Sequence, residues 1–316
     1  MDLSPLAAFT TIDENDFPYQ PALHDPDHAL AIITNTEGPS YRRCGAAMLI
    51  HKSGRRYGNL SSGCIDKNIG LRAVEALESG VVKRLRYGKG SPYWDMQLPC
   101  GGGLEITIIP YPDRHALEAI DRTLKGRNEA LFSINHDGIF APQLTQSGLN
   151  VSIQPQLRVL IFGTGREVVC FASLARAAGC QVEVFSHDAD VLEEDRMAHA
   201  HMKDDWPDNL PIDARTAVIT FYHDHDREPA ILGHALKSSA FFVGAQGSKR
   251  AHELRCAALA YKGCSKTDIE RLEHPLGVIP STRDPQTLAV SVLAHVLQKV
   301  STSVKTKAIE PAQIRI

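Results

Sequence analysis

Residues 157–185 read LRVLIFGTGREVVCFASLARAAGCQVEVF and contain a strand, a glycine turn, a helix and a second strand. The first part of this stretch is almost wholly apolar, which is typical of a parallel strand buried on both faces. Gly163 and Gly165 end the strand, and a helical pattern then runs to Gly179. A strand, a turn, a helix and a strand within about thirty residues open a doubly wound parallel sheet.

The turn at Gly163 and Gly165 differs from the fingerprint of dinucleotide-binding proteins. That fingerprint, G-x-G-x-x-G/A, has a third small residue and an acidic residue at the end of the second strand. Here Val168 takes the third position and Ser186 follows the second strand. Both differences disfavour NAD(P), whereas a backbone anion site at the helix start does not require the third glycine. An NAD(P)-dependent oxidoreductase built on this turn is kept as an alternative.

A second glycine turn lies further along the same predicted sheet. Residues 243–250 read VGAQGSKR and connect a predicted strand to a predicted helix. Because parallel strands present their carboxyl ends at one edge of the sheet, we expect both turns at that edge. A serine that suits a helix cap or a hydroxyl donor, together with two cations, favours a phosphorylated small molecule. The predicted binding residues are Gly244, Gly247, Ser248, Lys249 and Arg250.

The amino-terminal half holds another candidate anion site. Residues 41–68 read YRRCGAAMLIHKSGRRYGNLSSGCIDKN, with a small, polar end and a helical pattern that begins near Cys64. Small residues let backbone N–H groups approach an anion, and the positive end of the helix would face it. Guanidinium groups upstream can pair with phosphate. The candidate residues are Arg42, Arg43, Ser62, Gly63, Cys64 and Asp66.

A second cysteine has similar surroundings. Cys100 precedes Gly101, Gly102 and Gly103 and borders another strand-like run. A free cysteine is most often a small buried hydrophobe, and glycines beside strands usually mark turns or bulges. Two cysteines embedded in small residues are nevertheless more than packing requires. A thiol redox or metal-binding protein is therefore a further alternative.

Residues 223–226 read HDHD and follow another predicted strand. Alternate residues at one strand end rarely complete a tetrahedral metal shell, and no matching cluster occurs elsewhere in the sequence. A polar loop, with Asp226 near a helix start, explains the pattern better.

Composition limits the functional classes. The formal net charge is -3, and no run of basic residues suggests nucleic-acid binding. The 7 cysteines include no CxxC pair, which argues against a disulfide framework or a zinc ribbon and for a reducing compartment. The start of the chain lacks a signal-peptide pattern, and no apolar run reaches the ~20 residues that span a bilayer. We therefore expect a cytoplasmic protein without a membrane or nucleic-acid partner.

The predicted elements divide the chain, of class α/β, into three parts. Residues 1–113 predict a small mixed α+β domain, in which the stretch before residue 25 need not be ordered. Residues 114–155 predict a connector with one helix and one or two hairpins, and residues 156–316 predict the doubly wound parallel-sheet domain. Exposed sheet edges favour a homodimer.

Five motifs in this order resemble the XdhC/CoxI family, the accessory factors of xanthine dehydrogenase and related molybdenum hydroxylases. They are residues 38–66, residues 100–102, the Gly163-x-Gly165 turn, residues 244–250 and residues 284–289. The resemblance extends from about Ala29 to Val300 and implies an XdhC/CoxI domain followed by a Rossmann-type domain.

The resemblance also implies a function. It implies binding of molybdenum cofactor (molybdopterin), a pterin with a phosphate and a dithiolene, as cargo. The cargo would be protected while a cysteine desulfurase or other sulfurtransferase adds the sulfido ligand, and then delivered to a molybdenum hydroxylase apoenzyme. Such a chain is an accessory factor rather than a catalyst. Since thiolates match soft metals, Cys64 and Cys100 would face the molybdenum, while the glycine turns with Lys249 and Arg250 would hold the phosphate.

Overall fold

The computed structural model describes residues 8–61, 63–91, 98, 101–135, 140–142, 144–145, 148–202, 205–222 and 226–307, with side chains from residue 9 to residue 300. The chain divides into two compact units, Met1–Pro155 and Gln156–Ile316. Within the described ranges, no helix combines the length and the apolarity that a membrane span requires.

The first unit is built around a five-stranded antiparallel sheet. In chain order its elements are β1 (Ala8–Asp13), α1 (Gln20–His24), β2 (His28–Glu37), β3 (Ala47–His51), β4 (Arg56–Tyr57), α2 (Cys64–Ser79), β5 (Lys83–Gly88), β6 (Gly103–Pro110), α3 (Arg114–Lys125), β7 (Ala130–Ile134), β8 (Phe140–Ala141) and β9 (Leu149–Gln154). The central sheet has the order β4-β3-β2-β6-β5. Its middle strand, β2, is apolar on both faces and therefore needs a covering layer on each side.

Helix α2 covers one face of this sheet, where Ala31 and Ile33 of β2 join its core. On the other face, Leu30 and Ile32 pack with α3 and with a second sheet of order β1-β9-β7-β8. Residues 114–155, predicted as a connector, thus form a layer within the first compact unit. Strand β1 lies in the stretch before residue 25, which the sequence did not require to be ordered. It runs parallel to β9.

The second unit contains a six-stranded parallel sheet. Its elements are β10 (Arg158–Gly163), α4 (Arg166–Ala177), β11 (Gln181–Ser186), α5 (Ala189–Glu194), β12 (His199–Ala200), β13 (Thr216–Phe221), α6 (Glu228–Lys237), β14 (Phe242–Ala245), α7 (Lys249–Tyr261), α8 (Lys266–Ile269), β15 (Leu272–Glu273) and α9 (Pro285–Lys307). The strand order is β12-β11-β10-β13-β14-β15, with every neighbouring pair parallel. This is the order of the Rossmann fold, so the predicted fold class is confirmed.

Both faces of this sheet are buried. Val159 and Ile161 of β10 pack with α4 and α9, while Leu160 and Phe162 pack with α6 and α7 on the opposite side. The direction of the chain crossovers reverses between β10 and β13. In open parallel sheets, ligands bind at the carboxyl ends of the strands at such a reversal.

Candidate functional site

The two glycine turns lie on either side of the carboxyl end of β13. The backbone N–H of Thr164 donates to the carbonyl oxygen of Phe221, and that of Gln246 donates to the carbonyl of Thr220, each at 3.0 Å. A Cβ at Gly163 would lie 2.4 Å from the Phe221 oxygen, so this close approach requires glycine. The structure therefore brings the two turns together at one edge of the sheet.

A carboxylate already occupies the first turn. Asp188, in the loop after β11, accepts a hydrogen bond from the Gly165 N–H through Oδ2 at 2.9 Å. Its other oxygen, Oδ1, accepts from the Asp190 N–H at 3.0 Å and thereby caps α5. Negative charge is favourable at the amino terminus of α4. The Gly165 N–H, predicted to bind a ligand anion, thus has an anionic partner within the protein.

The side chain of Ser186 fixes this arrangement. Its hydroxyl donates to the Gly163 carbonyl at 2.7 Å and accepts from the Asp188 N–H at 3.1 Å. Ser186 is fully buried. Arg166, the cation that follows Gly165 in sequence, pairs with both carboxylate oxygens of Glu194 at 2.6 and 2.7 Å. The first turn is therefore held by protein contacts and lies beside acidic groups.

The second turn is capped by an uncharged group. The Ser248 hydroxyl accepts a hydrogen bond from the Ala251 N–H at 3.2 Å and caps α7. Lys249 and Arg250 are exposed, and neither side chain makes a hydrogen bond or an ion pair with another described residue. Gly247 is also exposed. Gly244 serves packing, because a Cβ there would lie 2.6 Å from Cδ1 of Leu276.

A buried ion pair holds the second turn in place. Arg255 Nε lies 2.8 Å from Glu228 Oε2, and the two side chains are 1% and 0% exposed. The other oxygen of Glu228 accepts from the Thr220 hydroxyl at 2.9 Å, while Arg255 Nη2 donates to the Gln246 carbonyl at 2.7 Å. The pair therefore connects the end of β13, the start of α6 and the second turn. Neither residue was predicted from the sequence, in which they are 27 positions apart.

Cys64 is exposed at the first position of α2. Gly63, the residue before it, has a φ of 50° and open space where a Cβ would be. Asp66 is turned toward the preceding loop, because its Oδ1 accepts from the N–H groups of Leu60 and Ser61 at 3.3 and 2.9 Å. Ser62, another predicted contact, lies outside the described residues. The described part of this site is thus an accessible thiol at a helix start.

The two upstream arginines contact the segment that contains β1 and the residues after it. Arg42 forms an ion pair with Asp16 at 2.9 Å. Arg43 is exposed, and its Nη1 donates to the Thr11 carbonyl at 3.5 Å. Both predicted cofactor contacts therefore have partners within the first unit.

The glycines after Cys100 form a close crossing of the backbone. The Gly102 carbonyl accepts from the Lys89 N–H at 3.0 Å, and a Cβ at Gly88 would lie 2.2 Å from the same oxygen. Gly101 has a φ of 70° and open space around it. Gly102 thus has a structural role at the end of β5. Cys100 itself, and residues 223–225 of the HDHD run, lie outside the described residues.

A separate cleft of about 540 Å³ lies among α7, α8 and β15. Here Cys256 Sγ is 3.5 Å from Nε2 of His252, whose ring stacks on that of His274 with centroids 4.0 Å apart. Burial raises the pKa of the Cys256 thiol and lowers the pKa of His252. Because imidazole lone pairs lie in the ring plane, stacked rings do not converge on one ion. The described residues contain no group of three or more metal-ligating side chains.

Comparison with known proteins places this architecture in a family. A family model described as the XdhC and CoxI family matches residues 25–88, and one described as the XdhC Rossmann domain matches residues 159–296. The protein named molybdenum cofactor insertion chaperone PaoD, from Escherichia coli (strain K12), is 32% identical over 303 residues, which are 92% of this chain and 90% of that protein. The chain belongs to the XdhC and CoxI family.

Another relative and a solved structure are also similar to this chain. A protein from Bacillus subtilis (strain 168), named as a probable xanthine dehydrogenase component, is 25% identical over 326 residues, covering 87% of this chain and 94% of that protein. The crystal structure of a xanthine dehydrogenase from Bacillus halodurans superposes with a TM-score of 0.75 at 18% identity, covering 92% of this chain and 96% of the other. The structural likeness shows a shared fold. The resemblance predicted from the sequence motifs is thereby confirmed.

The matched ranges of this XdhC/CoxI protein include most of the candidate residues. Arg42, Cys64 and Asp66 lie in the range of the first family model. Both glycine turns lie in the range of the Rossmann model.

Proposed function

We propose that this XdhC/CoxI protein binds molybdenum cofactor as cargo and delivers it to the apoenzyme of a molybdenum hydroxylase. It acts as a chaperone rather than as a catalyst. The observation that carries the proposal is its similarity, over nearly the whole chain, to a protein named as a molybdenum cofactor insertion chaperone. The chemistry of the two candidate sites fits the two kinds of group that this cofactor presents.

The second glycine turn suits the phosphate of the cofactor. Lys249 and Arg250 are exposed beside the amino terminus of α7, and the described structure gives their side chains no other partner. Backbone N–H groups at a helix start bind phosphate, and a guanidinium forms strong, charge-assisted bonds with it. We therefore assign the phosphate to residues 247–250, which are held in position by the Arg255 contact to Gln246.

Cys64 suits the molybdenum end of the cofactor. Its thiol is exposed, and Gly63 leaves open space at the helix start. Thiolates are preferred ligands of soft metal–sulfur centres, so we assign Cys64, together with Cys100, to molybdenum. Arg42 and Arg43 stay proposed contacts, although a ligand would compete with Asp16 for Arg42.

Retention of molybdopterin during purification tests this function. We expect the wild-type protein to retain the cofactor, and the double variants Cys64→Ala with Cys100→Ala and Lys249→Ala with Arg250→Ala to retain much less. A matched control is Lys262→Ala with Lys266→Ala, two exposed cations outside both sites, which should retain the wild-type amount. If the wild type retains none, the function is wrong. If both site variants retain as much as the wild type, the residue assignments are wrong.

The function implies partners. We propose that a cysteine desulfurase or other sulfurtransferase acts on the bound cargo, that the protein works in the cytoplasm, and that it forms a homodimer. Affinity purification with and without bound molybdopterin should recover the sulfurtransferase and the apoenzyme preferentially with the loaded protein.

The homodimer is tested separately. Light scattering after gel filtration should give twice the chain mass, and a monomer mass at micromolar concentration would contradict the homodimer.

A further inference from the structure

We infer that Asp188 is a specificity determinant that closes the first glycine turn to phosphate and keeps it open to hydrogen-bond donors. The protein therefore rejects the pyrophosphate of nicotinamide dinucleotides at the turn where doubly wound folds ordinarily bind it. This property concerns the Rossmann-type unit alone.

The carboxylate of Asp188 is anchored on both sides. Its two oxygens accept from Gly165 and Asp190, and its own backbone N–H is held by the Ser186 hydroxyl. Ser186 in turn is fixed to the Gly163 carbonyl at 2.7 Å. The carboxylate thus belongs to the turn itself and takes the N–H that a phosphate would need.

No cationic side chain among the described residues forms an ion pair with this carboxylate. Arg166 is the basic residue closest in sequence to the turn, and its Nη1 bonds to both oxygens of Glu194. Within the described part of the chain, Asp188 makes no ion pair. A phosphate bound at the turn would lie within a few ångströms of a carboxylate that has no cationic side-chain partner among the described residues. Two like charges at such a distance repel each other strongly.

An ionised carboxylate can only accept hydrogen bonds. A group that binds beside Asp188 must therefore donate, as an amine, a ring N–H or a hydroxyl does. A pterin ring carries amine and N–H donors at the end remote from its phosphate. The orientation of the bound cargo rests on the proposed function: the pterin ring lies toward Asp188, and the phosphate lies toward Lys249 and Arg250.

Titration with ADP-ribose, which carries the pyrophosphate of the dinucleotides, tests the inference. We expect no saturable binding by the wild type below millimolar concentration. Asp188→Ala should gain affinity about tenfold or more, because a like charge is removed. Asp188→Asn, which keeps the shape and one acceptor oxygen, should gain less. The matched control Asp190→Asn changes a neighbouring exposed carboxylate and should behave as the wild type.

Circular dichroism and thermal melting establish that each variant is folded. Micromolar binding of ADP-ribose by the wild type would overturn the inference, and so would folded Asp188→Ala and Asp188→Asn proteins that bind no more tightly than the wild type. Molybdopterin retention is measured separately. A wild type that retains no molybdopterin refutes the proposed function, while the ADP-ribose titration still decides the role of Asp188.

Discussion

The two glycine turns of the second unit lie on opposite sides of β13 and lead into helices in the same way, yet the N–H groups at their helix starts are satisfied differently. At the first, the Asp188 carboxylate accepts from Gly165. At the second, the uncharged Ser248 hydroxyl caps α7, and Lys249 and Arg250 stay exposed. The backbone of this fold can form an anion site at every such turn. Side chains from neighbouring loops decide whether an anion can enter.

Removal of Glu228 should displace the second turn and cause the largest loss in free energy of unfolding among the changes considered. The variant Glu228→Ala removes one partner of a buried ion pair with Arg255, which costs about 3–5 kcal/mol in free energy of unfolding. Urea denaturation followed by Trp206 fluorescence, in a Trp94→Phe background, measures this loss in the second unit. The control Glu270→Ala removes an exposed partner of Lys266 and should cost under about 0.5 kcal/mol. A loss below about 1 kcal/mol for Glu228→Ala would show that the pair does not hold the turn.

A methyl group at each turn sharpens the comparison. In Gly163→Ala the new Cβ meets the backbone oxygen of Phe221, which cannot move without shifting β13, so we expect a loss of about 1–3 kcal/mol. In Gly244→Ala the new Cβ meets only side-chain atoms, Cδ1 of Leu276 at 2.6 Å and Cε1 of the Phe242 ring at 2.9 Å. Side chains can adjust without a shift of a strand, so the loss should be smaller. The same urea experiment measures both. An equal or larger loss for Gly244→Ala would contradict the described packing.

The caps should differ in their response to salt. Ser248→Ala removes an uncharged cap and should cost about 1 kcal/mol at any ionic strength. Asp188→Ala removes a charged cap, and the part of its cost that comes from the helix dipole should shrink as salt rises from about 0.01 to about 1 M. Urea midpoints at the two salt concentrations measure this difference. An identical salt dependence would mean that the Asp188 charge does not act on α4.

Acidification should have the smallest effect on the stability of the second unit. It should act through histidines that lie outside both turns. Burial lowers the pKa of His234 and of His252, so both rings are neutral in the folded protein near pH 7. The unfolded chain takes up these protons near pH ~6.5. The contribution of the neutral rings to stability is therefore complete above about pH 6.5 and declines as the pH falls from there through the lowered pKa values. The urea midpoint of the second unit should fall between about pH 7.5 and about pH 5.5, and His234→Gln with His252→Gln should flatten that fall. A midpoint that rises on acidification would contradict the sign.

The main elements of the fold could be predicted because their signals are local. The single helix predicted in the connector is present as α3, and the apolar run of β10 indicated a buried parallel strand. The two-residue edge strands β12 and β15 could not be predicted, since two residues are too few to show the alternation of side chains that marks a strand. Leu272 of β15, for example, is placed in the sheet only by its pairing with Val243.

The site was predictable only in part. Both glycine turns and Cys64 could be located because small residues beside strands are visible in sequence. The contact of Asp188 with Gly165 depends on the path of a loop and follows no fixed spacing. The pairing of Glu228 with Arg255 depends on two helices that meet only in the folded unit. The pair His252 and Cys256, four positions apart on one helix, did carry a local signal that was not used in the prediction.

We propose that the phosphate of the cargo binds at the second turn while the first turn stays closed to it. The most direct measurement is a titration of ¹⁵N-labelled protein with molybdopterin, followed through backbone amide chemical shifts. We expect saturable shifts for the N–H groups of Ser248, Lys249 and Arg250, and a Gly165 N–H that stays bonded to Asp188. Saturable shifts of Gly165 and Arg166, without shifts at residues 248–250, would contradict it.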